Sequence, residues 1–208
     1  MKMPALPSRS TLAGMAVALL CLLAWPGVRQ ALEASMTRHM LVQYPLLMLA
    51  GFLFAAAWPP GWTARLNRWN AHGISGLLAA GVMLGILMIP RVLDLALVDG
   101  RAEILKFLAL LICGAATRLS WQPAGVLVQG FFLGNVLPMM VVAGNLYETS
   151  PVRICNAYLL DDQARLGQLL VWIAAVVAAA WFGWLVGALM RRDAVMLQAD
   201  TAPKAGAR

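Results

Sequence analysis

Charge is what this chain has least of. Of its 208 residues only 12% are Asp, Glu, Lys or Arg, against 62% that are hydrophobic, and the mean hydropathy is +0.76. A soluble domain carries about a quarter charged residues and under half apolar ones. So few charges cannot cover a water-exposed surface, which excludes an ordinary soluble domain. Acidic residues are the scarcer sign, 9 against 16 basic, leaving a net charge of +7 and a pI of about 10.0. The basic residues sit at the ends of apolar runs rather than in one patch, the pattern of membrane anchoring, so no nucleic-acid partner is expected. Cysteine is rare as well. Cys21, Cys113 and Cys155 form no C-x-x-C pair, which excludes a disulfide framework and a thiolate metal clip. With two histidines, no nucleophile–base pair, no phosphate-cradling glycine loop and no zinc motif, the chain is not expected to be an enzyme.

What is present is a series of long apolar runs, over residues 11–28, 41–58, 73–89, 104–119, 123–146 and 166–190. A helix crossing a bilayer needs about 20 such residues. The expected fold is therefore all-α, a polytopic membrane helical bundle of about six transmembrane helices. It forms one domain over residues 1–190, with 191–208 a short polar cytoplasmic tail stopped off by Arg191 and Arg192. The first run follows Lys2 and Arg9 and exceeds the about 7–15 residues of a signal-peptide core, so it is read as a retained span. Lys106 and Arg118 are placed to snorkel from the fourth run, and Glu103 to pair with Lys106 three residues on. Gly81-x-x-x-Gly85 and Gly183-x-x-x-Gly187 have the spacing that lets helices approach closely.

Alternate exposed segments divide the Lys and Arg residues modestly in favour of the side holding Arg65, Arg68, Arg118, Arg191 and Arg192, which predicts both termini in the cytoplasm. The opposite, outer side holds seven acidic residues, among them Glu33, Asp94, Glu103, Asp161 and Asp162.

The stretch Met36-Thr-Arg-His39-Met40-Leu-Val-Gln43-Tyr44 opens the second run on that outer side. On a helix Met36, His39, Met40 and Gln43 share one face. Imidazole with thioether suits copper, thioethers favouring Cu(I). The alternative is a lone interfacial histidine beside apolar methionines. His72 precedes the third run on the opposite side, which argues against the two histidines sandwiching one haem. Asp161-Asp162-Gln163 enters the sixth run on the outer side, where its carboxylates suit helix capping, a cation or a partner.

At these residues the chain resembles the CtaG-like family of cytochrome c oxidase assembly factors associated with caa-type oxidases. His39-Met40 with Gln43 is similar to the family's H-M-x-x-H pattern, Gln43 standing for the second histidine. Pro90-Arg-Val-Leu-Asp94 resembles its proline-led segment after the next span, and Leu146-Tyr147-Glu-Thr-Ser150-Pro151 its later loop. Leu160-Asp161-Asp162-Gln163 with Gly167 and Trp172 resembles its D-Q-x-x-G-G-x-x-M-W signature. Where the family carries further histidines, this chain has Glu103, Lys106 and Phe107. The resemblance implies an inner-membrane accessory protein for assembly of a respiratory haem–copper oxidase. It would aid copper delivery at the outer face through Met36, His39 and Met40, with an oxidase subunit and a periplasmic copper carrier as partners. Two other classes stay open. One is a small-solute transporter using Gln129, Asn135 and Asn145; the other is a haem- or quinone-associated membrane subunit.

Overall fold

The computed structural model describes the backbone of residues 8–201 and the side chains of residues 8–193; Lys2, Lys204 and Arg208 lie outside the described residues. The architecture is all-α, with no strand among the described residues. Helices α1 (Arg9–Ala24), α4 (Tyr44–Ala57), α6 (Ile74–Leu87), α8 (Gly100–Trp121), α9 (Val126–Thr149) and α10 (Leu160–Thr201) run end to end along the bundle. Between them lie α2 (Pro26–Glu33), the single turn α3 (Met36–Arg38), a π-helical turn His39–Gln43, α5 (Pro60–Asn67) and α7 (Pro90–Val98). By length and composition three helices can cross a bilayer, Met36–Ala57, Val126–Thr149 and Leu160–Asp193. Counting each of the bent pairs α1–α2 and α6–α7 as one span brings the number to five among the described residues, and the expected six is not confirmed by length and composition. The remaining long helix, α8, carries Lys106 and Arg118 within its apolar run.

Prolines set the corners. Pro26 starts α2 after a 68° bend, which breaks the run 11–28 that hydropathy alone joins, and Pro90 starts α7 after a 75° bend. Proline is pre-organised for the first helical turn but cannot continue a preceding helix. The hydroxyls of Tyr44 and Tyr147 donate to the carbonyls of Leu87 and Met88, at 3.4 and 2.7 Å, and so satisfy acceptors left free where α6 ends. Pro138 lies inside α9 without ending it. Helix α10 continues through Arg191 and Arg192 to Thr201. Those arginines mark the end of the apolar run but not of the helix, since Arg has good helix propensity.

Close crossings rest on glycines other than those singled out by spacing. A Cβ at Gly51 would collide with the Leu111 backbone, and one at Gly114 with the Met48 backbone, so α4 and α8 touch chain to chain. Gly144 and Gly167 do the same for α9 and α10. Gly183 has open space around it, and Gly81 and Gly85 meet only Phe132 and the Met139 sulfur. These contacts define two ends of the bundle. One gathers α2, residues 36–44, α7, the start of α8 and the 150–163 segment; the other gathers Asn70, Gly73, Ser120 and Ala124. His39 and exposed His72 lie at opposite ends, as the sequence predicts.

Candidate functional site

Met36, His39, Met40 and Gln43 are all buried, so the face read from their spacing is real and points into the bundle. The turn that carries them is π-helical: the Tyr44 N–H bonds to the His39 carbonyl, five residues back. Tyr44, which closes this turn, meets His39 edge to face, with ring centroids 5.4 Å apart and the rings nearly perpendicular. Such π turns are uncommon and concentrate at functional sites.

Lys106 organises the site. Its side chain is 1% exposed and turned inward, so it does not snorkel, and it does not pair with Glu103. Its ammonium instead donates to Glu33 Oε1 at 2.7 Å, His39 Nε2 at 3.0 Å and Gln43 Oε1 at 3.3 Å. An ammonium has three protons and no acceptor, and here each proton has one partner. His39 Nε2 must then accept, which fixes a neutral ring with its proton on Nδ1. That proton is donated to the Tyr158 hydroxyl, 2.7 Å away. Gln43 Nε2 donates to Glu33 Oε1 at 3.2 Å, closing the ring of contacts.

A second ion pair flanks the first. Arg29 donates to Glu103 Oε2 at 2.8 Å, and its Nε lies 3.8 Å from Glu33 Oε2. Arg29, Glu33, Glu103 and Lys106 carry two charges of each sign, so the cluster is neutral. An unbalanced charge is costly at a depth where water is scarce. Tyr158 lies in the 150–159 link, and its burial, with the Glu33 carboxylate nearby, pushes its phenol pKa up. It therefore remains a neutral hydroxyl against His39.

The acidic segment lands beside this cluster without entering it. Asp162 accepts hydrogen bonds from Ser35 Oγ at 3.0 Å, Thr37 Oγ1 at 2.8 Å and the Met36 N–H, so it caps α3 rather than its own helix. Asp161 is exposed. Gln163 is buried and accepts from the Ile154 N–H while donating to the Tyr147 carbonyl, which ties the 150–159 link to the end of α9. Asp94 accepts from the Asn156 and Ala157 N–H groups. Segments that are separate in the sequence thus meet at one end of the bundle.

No protein-family model, curated protein or solved structure matches the chain.

The Met36, His39 and Met40 set fits a copper ion poorly in this arrangement. Both ring nitrogens of His39 are engaged, and the direction of Nε2 is held by an ammonium rather than by open space. Sequence reasoning missed the partners that decide this. Glu33, Arg29 and Tyr158 are 73, 74 and 119 residues from the groups they bind, and no local spacing reports such pairs. The one available signal was Lys106 itself, a cation inside an apolar run.

Proposed function

We propose that this chain is a multi-pass inner-membrane accessory protein for assembly of a respiratory haem–copper oxidase. It acts from the bundle end that carries His39, with both termini cytoplasmic and that end facing away from the cytosol. One observation carries the reading. The segments that resemble CtaG-like motifs, residues 36–44, 90–94, 146–151 and 160–163, lie at one end of the bundle. There Asp162 bonds to residues 35–37, Gln163 to Tyr147, Tyr147 to Met88 just ahead of Pro90, and Asp94 to the backbone of Asn156 and Ala157 in the link that precedes 160–163. A set of weak motifs that converge in space supports a common role better than the same motifs scattered along a chain. The role is one of docking and positioning: an oxidase subunit, and the copper carrier that serves it, would meet exposed groups such as Asp161 and Arg38 beside the rigid cluster.

The rivals find less support. Gln129 donates to the Trp121 and Ala124 carbonyls, and Asn135 to the Phe131 carbonyl of its own helix, so these amides do not converge on a solute path. A histidine serving as axial haem ligand would need a free imidazole nitrogen, and His39 offers none.

Deleting the gene tests the proposal. Membranes of the deletion strain are expected to lose cytochrome c oxidase activity and the matching haem absorbance. Wild-type chain restores both, and a tagged copy co-purifies an oxidase subunit. Unchanged oxidase activity in the deletion strain would contradict the role.

A further inference from the structure

We infer that the acceptor trio of His39 Nε2, Glu33 Oε1 and Gln43 Oε1 is a cation site whose cation is supplied by the chain itself, the Lys106 ammonium, which keeps metal ions out. The inference stands on this geometry alone and not on the assembly role.

The three acceptors come from two stretches, Glu33 at the end of α2 and His39 and Gln43 at the two ends of the π turn, and converge on one point at 2.7–3.3 Å. None of them points a proton there: the carboxylate has none, the amide turns its NH2 to Glu33, and the imidazole keeps its proton on the Tyr158 side. Convergent lone pairs without a cation would repel each other and lie buried without partners, at a cost of a few kcal/mol. Imidazole nitrogen with carboxylate and amide oxygen is also a donor set that suits Zn2+ or Cu2+. Metal–ligand distances of about 2.0–2.2 Å would require the donors to close in by roughly 1 Å. The cluster's neutrality counts the ammonium as its second positive charge. A metal ion entering beside Lys106 would add uncompensated charge next to a cation. Entry therefore requires Lys106 to leave, and it is held on all three protons in a place where its side chain is 1% exposed.

The test uses full-length protein in detergent, with Zn2+ and Cu(I) as probes in competition with chromophoric chelators. Wild type is expected to bind neither ion at His39. Lys106→Ala is expected to bind one equivalent of Zn2+, and His39→Ala/Lys106→Ala to lose it. n-Propylammonium, which replaces the deleted atoms, is expected to raise the Tm of Lys106→Ala and leave that of wild type unchanged. Should Lys106→Ala fail to fold alone, the recovery of folded protein from membranes prepared with and without n-propylammonium or Zn2+ gives the same answer. One equivalent of either metal bound by wild type and lost in His39→Ala would overturn the inference. So would a Lys106→Ala protein that neither takes up Zn2+ nor responds to n-propylammonium.

Discussion

Lys106 carries its charge into the bundle end because three acceptors, one of them the balancing Glu33 carboxylate, are waiting there. Removing one member of a buried pair leaves the other unpaired at a cost of about 3–5 kcal/mol. Lys106→Met is expected to destabilise the protein by that order in denaturant or thermal unfolding in detergent. Glu33→Gln/Lys106→Met removes both charges and keeps the balance. It is expected to cost less than the sum of the single variants by about 1 kcal/mol or more, whereas strict additivity would mean that the two do not interact. The local pairing of Glu103 with Lys106 looked right in sequence because an i, i+3 pair is geometrically available. It loses here to partners 63 to 73 residues away, since a pair worth a few tenths of a kcal/mol in water cannot satisfy three ammonium protons in an apolar setting. Cys155 gives a pH test at the same scale. Burial, with Asp94 nearby, pushes its thiol up from 9.0 to about 12. The folded state thus holds that proton more tightly than the unfolded chain. The corresponding stability is fully present below pH 9 and lost as the pH rises towards 12. Cys155→Ala is expected to flatten the alkaline limb of the stability curve between these values, and an unchanged limb would contradict the assignment.

At the scale of elements, the sequence makes most helix positions legible and their joints less so. Residues 41–58 and 73–89 were expected as spans, and the helical segments observed are Met36–Ala57 and Ile74–Leu87. The run 11–28 hid a corner, because the apolar signal continues across Trp25 and Pro26 while the backbone turns by 68°. That corner lays α2 over the bundle end and carries Glu33 to Lys106. The sequence places the paired aspartates as caps of their own helix, whereas Asp162 caps α3 and Asp161 is exposed. Asp162→Ala is expected to cost about 1 kcal/mol, and hydrogen exchange should report it as faster exchange at residues 36–39. Equal protection in both proteins would remove the cap. The glycine motifs misled because spacing does not say which face a helix presents. Gly144→Val is expected to separate α9 from α10 and lower the Tm, while Gly183→Val, in open space, is expected to leave it nearly unchanged.

On the scale of the whole molecule, alternation of helices and of charge already places His39 and His72 at opposite ends, and the bundle keeps them there. The convergence of residues 36–44, 90–94 and 160–163 on the His39 end was not legible, because it depends on contacts made through Asp94, Tyr147 and Asp162 between remote segments. An all-helical chain with this composition belongs in a bilayer, and its two ends then face two compartments. The assembly role requires the His39 end to face away from the cytosol. In a background lacking Cys21, Cys113 and Cys155, Asp161→Cys and His72→Cys place single thiols on exposed positions at the two ends. A membrane-impermeant maleimide applied from the outer side is expected to label Asp161→Cys at once and His72→Cys only after the membrane is opened. Labelling of both from the same side, or of His72→Cys first, would contradict the account.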